Sequence, residues 1–379
     1  MSVDFQICDY FNDHQTAASL MIDDLAPAAI AYEDELKPFY DHGYGMRKPE
    51  GLYHYFEENL LNPYPEIRGT FFILTDQHFN QKPGTKGYII KNRGFSDEYV
   101  NFLHSLKPRF DFAFHGTTHG KLSNGQMLQE FTYLTPDDIP RYEKMLKDFQ
   151  QATGLSFYGG KFPAYQKNQH SSAIIEKLNF KWWAFSNHMK NRRHRDTAFK
   201  YSGNNQRVLH MPTNFGGESF KAFLKVKKPR LTALRSWHKA YERIKLEGHL
   251  NWLYQNKRVI TIQEHFTTLR SQGIFQRPNV FDDLESLKTI YATLRGADIW
   301  HARCNQVAKY RENKDHITLE TNSKNLVLTY SGTYTDPAVS VKSKKVKSLK
   351  NSEGLITHGI LRNGAYVFNH LKPGTYGLN

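Results

Sequence analysis

The sequence predicts an α/β chain built on parallel strands, followed by a small all-β module. Three observations lead there. Seven short apolar runs alternate with helical patterns, the signature of strands joined by crossover helices. Past about Asn313 the composition shifts to Thr, Val, Ser, Tyr and Gly with apolar residues at alternate positions. No internal repeat or low-complexity tract interrupts either part. At 379 residues the chain is too long for one small domain, and it divides into a large domain, 1–313, and a small one, 314–379.

The seven strand candidates are Ser19–Asp23, Gly69–Leu74, Phe110–His115, Phe157–Phe162, Phe180–Phe185, Arg207–Met211 and Arg258–Glu264. Thr135-Pro136-Asp137-Asp138 reads as a helix start, with Thr135 as N-cap and Pro136 in the first turn, where its missing N–H costs nothing. Thr232 to Tyr254 is the longest helical pattern, and Asp282–Leu294 and Asp298–Tyr310 read as two more helices. In the terminal module, His316–Glu320 and Leu326–Tyr330 alternate as strands, and Asn363-Gly364 and Pro373-Gly374 are turn signals. The expectation is a β-sandwich-like accessory domain that holds no catalytic residue.

Composition bounds the function. Hydrophobic residues make up 39% and aromatics 14%, enough for a large core and far from a disordered composition. Aromatic rings stack on the apolar faces of sugars, although most such rings are core. Lys plus Arg exceed Asp plus Glu by 51 − 37, a net +14. Such a surplus favours an anionic partner, an acidic glycan, nucleic acid or a membrane surface, over plain solubility. The charge is clustered: Lys190, Arg192, Arg193 and Arg195; Lys221, Lys225, Lys227, Lys228 and Arg230; Lys342, Lys344, Lys345, Lys347 and Lys350. No recognised nucleic-acid motif accompanies it, so nucleic acid ranks last among these partners. Two distant cysteines, Cys8 and Cys304, offer neither a disulfide framework nor a thiolate zinc site. Met1-Ser-Val-Asp-Phe lacks a signal-peptide pattern, and no run approaches the roughly 20 apolar residues of a membrane span, so a cytoplasmic location is expected.

The chemistry concentrates at strand ends. Asp23-Asp24 closes the first strand, and paired carboxylates can divide metal binding from proton transfer. Asp-Asp also occurs at 137–138 and 282–283, where it reads as ordinary helix-start charge. His115-Gly-Thr-Thr-His119 follows the third strand. Two imidazoles four residues apart on a helical turn can reach one ion, and Gly116 and Gly120 permit a tight turn. Among 18 histidines a chance pair of this spacing is easy to find. His265 ends the last strand. Together these groups sit at the carboxyl ends of parallel strands, where β/α barrels assemble their sites.

The order of these residues resembles the polysaccharide deacetylase (NodB-like, carbohydrate esterase family 4-like) superfamily over roughly 15–312. The matching motifs are Ser19-Leu-Met-Ile-Asp23-Asp24, the strand Gly69-Thr-Phe-Phe-Ile-Leu, His115-Gly-Thr-Thr-His119, Lys161-Phe-Pro163-Ala-Tyr165 and the strand closing on His265. Ala297 to Tyr310 resembles the helix near the end of that domain. Two departures stand out. Lys161 occupies the place of an arginine, which keeps the charge and loses the planar fork. Lys181-Trp182-Trp183-Ala-Phe-Ser186-Asn187 lacks the aspartate of the fourth motif.

The resemblance implies a distorted or incomplete (β/α)7-type barrel. It implies that Asp24, His115 and His119 bind one divalent ion, zinc first among transition metals, with Asp23 as base and His265 as acid. The substrate is then an N-acetylated sugar residue of a glycan or polysaccharide. Lys161, Pro163 and Tyr165 would bind substrate, with a backbone N–H near Tyr165 assisting at the oxyanion. Trp182 and Trp183 would line the cleft or lie buried on their strand. Two alternatives stay open, an inactive glycan-binding relative and a hydrolase of small amides or cyclic ureides.

Overall fold

The computed structural model describes residues 4–25, 28–32, 52–76, 88–92, 94–124, 126–186, 198–203, 205–221, 233–265 and 279–378. Each of the seven apolar runs overlaps a strand of one sheet. These are β1 (Thr16–Leu25), β2 (Gly69–Ile73), β3 (Phe110–Phe114), β4 (Gly159–Lys161), β5 (Trp182–Ala184), β6 (Val208–His210) and β7 (Ile260–His265). They run parallel in the order β6-β5-β4-β3-β2-β1-β7. Lys200–Ser202 adds antiparallel to β6 at one end, and Phe215–Gly216 adds parallel to β7 at the other. Among the described residues those ends do not pair with each other, so the sheet stays open rather than closing as a seven-stranded barrel. A further short strand, Ile299–His301, pairs with the start of β1.

Helices lie between the strands: α1 (Leu52–Phe56), α2 (Asp97–Leu106), α3 (Ile139–Thr153), α4 (Ser171–Lys177), α5 (Ala233–Gln255), α6 (Asn279–Leu294) and α7 (Cys304–His316). The start at Thr135 is as the sequence suggests. Asp138 accepts the Thr135 N–H at 3.0 Å, and Pro136 opens a 3-10 turn that leads into α3. Asp298–Tyr310 is not one helix. Ile299-Trp300-His301 is β-prone and finds a partner in Thr16–Ala18, so the helix begins only at Cys304. Among the described residues, no helix is long and apolar enough to cross a membrane.

Every residue of β1 is buried, as expected for a central strand covered on both faces. Its side chains alternate. Ala18, Leu20 and Ile22 join the core against the helices, together with Phe71, Phe110, Ile260 and Leu250. Ala17 and Met21 face the other way, into the concave side with Phe72, Ala113, Trp182 and Leu209. That parity carries Asp23 to the concave side, and the same count along β7 carries Gln263 and His265 there. The floor is packed rather than open. Trp182 is fully buried and donates from Nε1 to Asn305 Oδ1 at 2.7 Å. Trp183, equally buried, points to the other face among Phe114, Phe131, Phe162 and Phe180. Gly159 and Gly160 make room for the two indoles: a Cβ would lie 2.0 Å from Trp182 at one and 2.3 Å from Trp183 at the other.

The boundary placed near Asn313 falls inside α7, which runs to His316. The strands beyond it lie in two antiparallel sheets, ordered 317–321, 325–330, 374–378, 348–351, 356–358 and 5–7, 339–343, 365–371, 360–362. The second takes in the first strand of the chain, Phe5–Ile7, and Phe5 packs with Val339, Val341, Phe368 and Leu371. Asn363-Gly364 turns with both φ positive (49° and 75°), the geometry that makes this dipeptide a hairpin signal.

Candidate metal centre

Consecutive strand residues ordinarily point to opposite faces, so Asp23 and Asp24 should not serve one site. The backbone resolves this. Asp24 has φ of +68°, a left-handed conformation that Asp tolerates better than most residues, and the pairing of β1 with β2 slips between Ile22 and Leu25. Asp24 is thereby brought to the histidines, its Oδ1 3.3 Å from His115 Nε2 and 3.6 Å from His119 Nε2. One ligand atom from each of the three residues lies within 4.8 Å of the others, the only such metal-ligating group among the described residues.

The two histidines do not share a helical turn. Residues 115–119 form an irregular loop in which Gly116 (φ +101°) and His119 (φ +71°) are both left-handed. The loop wraps around a buried acid, Glu130. Its carboxylate accepts the backbone N–H of Thr117 at 2.8 Å, that of Thr118 at 3.1 Å, the Thr117 hydroxyl at 2.8 Å and the Tyr142 hydroxyl. Gly116 could carry no side chain here, since a Cβ would stand 2.5 Å from Glu130 Oε2.

His115 Nδ1 lies 3.0 Å from the Lys161 carbonyl, which can only accept, so Nδ1 carries the proton. In the neutral ring Nε2 is then a lone pair aimed at a carboxylate. That contact is repulsive unless a proton or a metal cation lies between. Burial opposes charge on His115, but Asp24 as hydrogen-bond partner and the charge of Asp23 outweigh it, and the imidazole pKa is raised above its usual value. Two imidazole nitrogens and one carboxylate oxygen form a donor set suited to a transition-metal dication.

Asp23 is held beside this centre. Lys161, itself buried, places Nζ 2.5 Å from Asp23 Oδ1. Gln263 donates from Nε2 to Asp23 Oδ2 at 2.8 Å, and His265 Nε2 lies 3.5 Å from the same oxygen. Tyr165 donates its hydroxyl to Gln263 Oε1 at 2.9 Å, so it reaches Asp23 through an intermediary. Its backbone N–H donates to the Phe162 carbonyl at 2.9 Å, which leaves it engaged within its own turn instead of offered to an oxyanion. Pro163 is buried at the start of that turn. Trp182 and Trp183, fully enclosed in the core, do not line a cleft.

Three residues of this centre escape a reading of motifs. Gln263 had a usable signal, since it lies two before His265 on one strand and shares its face. Glu130 had none, because its role comes from the return of the chain after the hairpin Gly120–Ser123 and Gln126–Gln129. Glu264 accepts the His265 N–H at 2.8 Å, and burial, followed by the charge of Asp283, raises its carboxyl pKa well above the usual range. Lys190 to Arg195 lie outside the described residues, and so does the second basic cluster apart from Lys221, which is paired with Asp283 at 2.6 Å.

Glu130→Gln is expected to weaken metal binding by roughly 10- to 100-fold, the usual cost of an outer-shell partner. A carboxylate only accepts, whereas an amide would turn N–H donors toward those of Thr117 and Thr118. Titration of the metal-free protein with Zn2+ measures this, and an unchanged affinity would remove Glu130 from the account.

No protein-family model matches the sequence, and no curated protein matches it. Solved structures do. A Mycobacterium smegmatis protein described as a polysaccharide deacetylase is 12% identical, with a TM-score of 0.39, over 81% of this chain and 94% of that one. An allantoinase is 12% identical, with a TM-score of 0.43, over 80% and 92%. A carbohydrate esterase family 4 pseudoenzyme from Bacillus anthracis is 10% identical, with a TM-score of 0.36, over 77% and 65%. The structures to which this chain is similar include a protein described as a polysaccharide deacetylase, an allantoinase and a pseudoenzyme of carbohydrate esterase family 4.

Proposed function

We propose that this chain is a metal-dependent hydrolase that removes N-acetyl groups from a sugar residue of a glycan. One observation carries the reading: Asp24, His115 and His119 converge on one point, and beside them Asp23 is held between Lys161, Gln263 and His265. Asp24, His115 and His119 would hold one divalent ion, with Zn2+ suiting two nitrogens and one oxygen best. When bound, the ion supplies Lewis acidity to water and to a carbonyl oxygen.

The chain's own residues divide the proton work. Asp23 takes a proton from the attacking water, since its carboxylate is fixed in place and is not needed as a ligand. Lys161 orients that carboxylate through its contact with Oδ1, and Gln263 fixes its second oxygen. His265, about one-third exposed at 36%, delivers a proton to the departing amine nitrogen and can re-equilibrate with solvent. The amide C–N bond breaks, and acetate and the free amino sugar leave.

Metal analysis of the purified chain, with acetate release scored on a panel of N-acetylated oligosaccharides, tests this. Glycan binding without metal or acetate would favour an inactive binding protein. Acetate-free turnover of small cyclic ureides would favour the amide-hydrolase alternative.

The net charge of +14 supports an acidic glycan as substrate. KM on acidic oligosaccharides is then expected to lie below that on neutral ones at 0.1 M salt. The gap should close toward 1 M, as the screening length falls from about 10 Å to about 3 Å. Equal KM values across a salt series would discard the anionic preference and leave the deacetylase reading in place.

A further inference from the structure

Four of the seven large hydrophobic residues that stand exposed among the described residues fall within seven consecutive positions: Leu355 (67%), Ile356 (49%), Ile360 (58%) and Leu361 (67%). Leu355 immediately precedes the strand Ile356–His358, and Ile360 and Leu361 lie on Ile360–Arg362. These two strands are the edges of two different sheets. The strip is held firmly in place. Ile356 pairs with Lys350, Gly359 donates its N–H to the Lys347 carbonyl at 2.9 Å, and Ile360 pairs with Val367. The third basic cluster of the sequence adjoins it. Lys344, Lys345, Lys347 and Lys350 are exposed, and Glu353 is the single acidic residue after Asp336.

We propose that this face docks on an anionic lipid bilayer. The two strand edges approach the bilayer edge-on, so that aliphatic side chains from both sides of the strands enter the boundary between headgroups and acyl chains, and the lysines lie among the acidic headgroups. The composition favours a bilayer over the two other occupants. A soluble polyanion would satisfy the lysines and leave the aliphatic side chains in water. A second copy would cover the aliphatic side chains but bring the adjoining lysines of both copies together, with Glu353 as the single acidic residue after Asp336 to offset them. A bilayer serves both halves of the patch, and it covers apolar edge strands that are otherwise an aggregation hazard. The inference is independent of the chemistry assigned to the metal centre.

The test is sedimentation of the full chain with vesicles of phosphatidylglycerol and phosphatidylcholine, and with vesicles of phosphatidylcholine alone. Binding is expected to the anionic vesicles and to weaken as salt is raised. Replacing Lys344, Lys345, Lys347 and Lys350 by Gln should lower the partition at least ~100-fold, at roughly five-fold per lysine. Replacing Leu355, Ile356, Ile360 and Leu361 by Ser should lower it at least ~10-fold, since the buried apolar area is lost. All eight side chains are exposed, so both variants should keep the parent's circular dichroism. The proposal fails if anionic vesicles leave the chain in the supernatant. It fails equally if the serine variant binds them like the parent while the glutamine variant does not, which would mark a polyanion site. A dimer seen by light scattering, lost in the serine variant and unaffected by vesicles, would assign the patch to a second copy instead.

Discussion

Asp23→Asn is expected to bind its metal ion like the parent and to hydrolyse with a kcat lower by about 10²- to 10⁴-fold, the range of a lost general base. The substitution is nearly isosteric and leaves Asp24, His115 and His119, the converging donors, untouched. What it removes is the proton acceptor. Lys161 Nζ, 2.5 Å from Asp23 Oδ1, would still find an oxygen in the amide, although without its full countercharge. The amide nitrogen would face Gln263 Nε2, which now donates to Asp23 Oδ2 at 2.8 Å, so a modest loss of stability accompanies the loss of rate. Paired measurements of metal content and acetate release separate the roles of the two adjacent carboxylates. A variant that turned over like the parent would show that Asp23 is not the base. A variant that lost its metal would move Asp23 into the ligand set.

Much of this arrangement was legible from the order of residues. Seven apolar runs gave the seven parallel strands because buried strands are written as short continuous hydrophobic stretches, and strand ends carried Asp23, His115 and His265. What stayed hidden depended on single backbone torsions and on long-range returns of the chain. Nothing local announces that Asp24 would adopt φ of +68° and so join the side of the sheet that its position in the strand denies it. The spacing of His115 and His119 suggested a helix, yet the loop is set by Glu130, which a hairpin brings back against Thr117 and Thr118. By residue type alone, Trp182 and Trp183 fit a cleft wall and a buried place on their strand equally well. The adjacent Gly159-Gly160 pair was the better guide, because two missing side chains on the neighbouring strand are what large buried rings require. Ile299-Trp300-His301 was absorbed into a helical pattern because three residues are too few to display a period of their own.

His119→Ala is expected to weaken metal binding by more than about 100-fold, beyond the upper end of what an outer-shell substitution costs, since it deletes one of three donors. The consequence is readable as stability. An ion present at about 1,000 times its Kd stabilises the folded chain by about 4.1 kcal/mol, and a 100-fold weaker site at the same ion concentration leaves about 1.4 kcal/mol. The rise in Tm on adding Zn2+ should therefore shrink to roughly a third in the variant. Acid should have the same effect on the parent. His115 holds its proton more tightly than a free imidazole because Asp24 and Asp23 face it, and that proton competes with the ion, so metal-dependent stabilisation rises with pH through the raised imidazole pKa. His119 occupies a left-handed position at φ +71°, so part of any effect of alanine could come from the turn. His119→Asn supplies the control, because Asn tolerates that conformation while lacking the imidazole. If both variants lose the Tm increment, the ligand is what matters. If alanine alone loses it, the turn is responsible, and His119 is not the third donor.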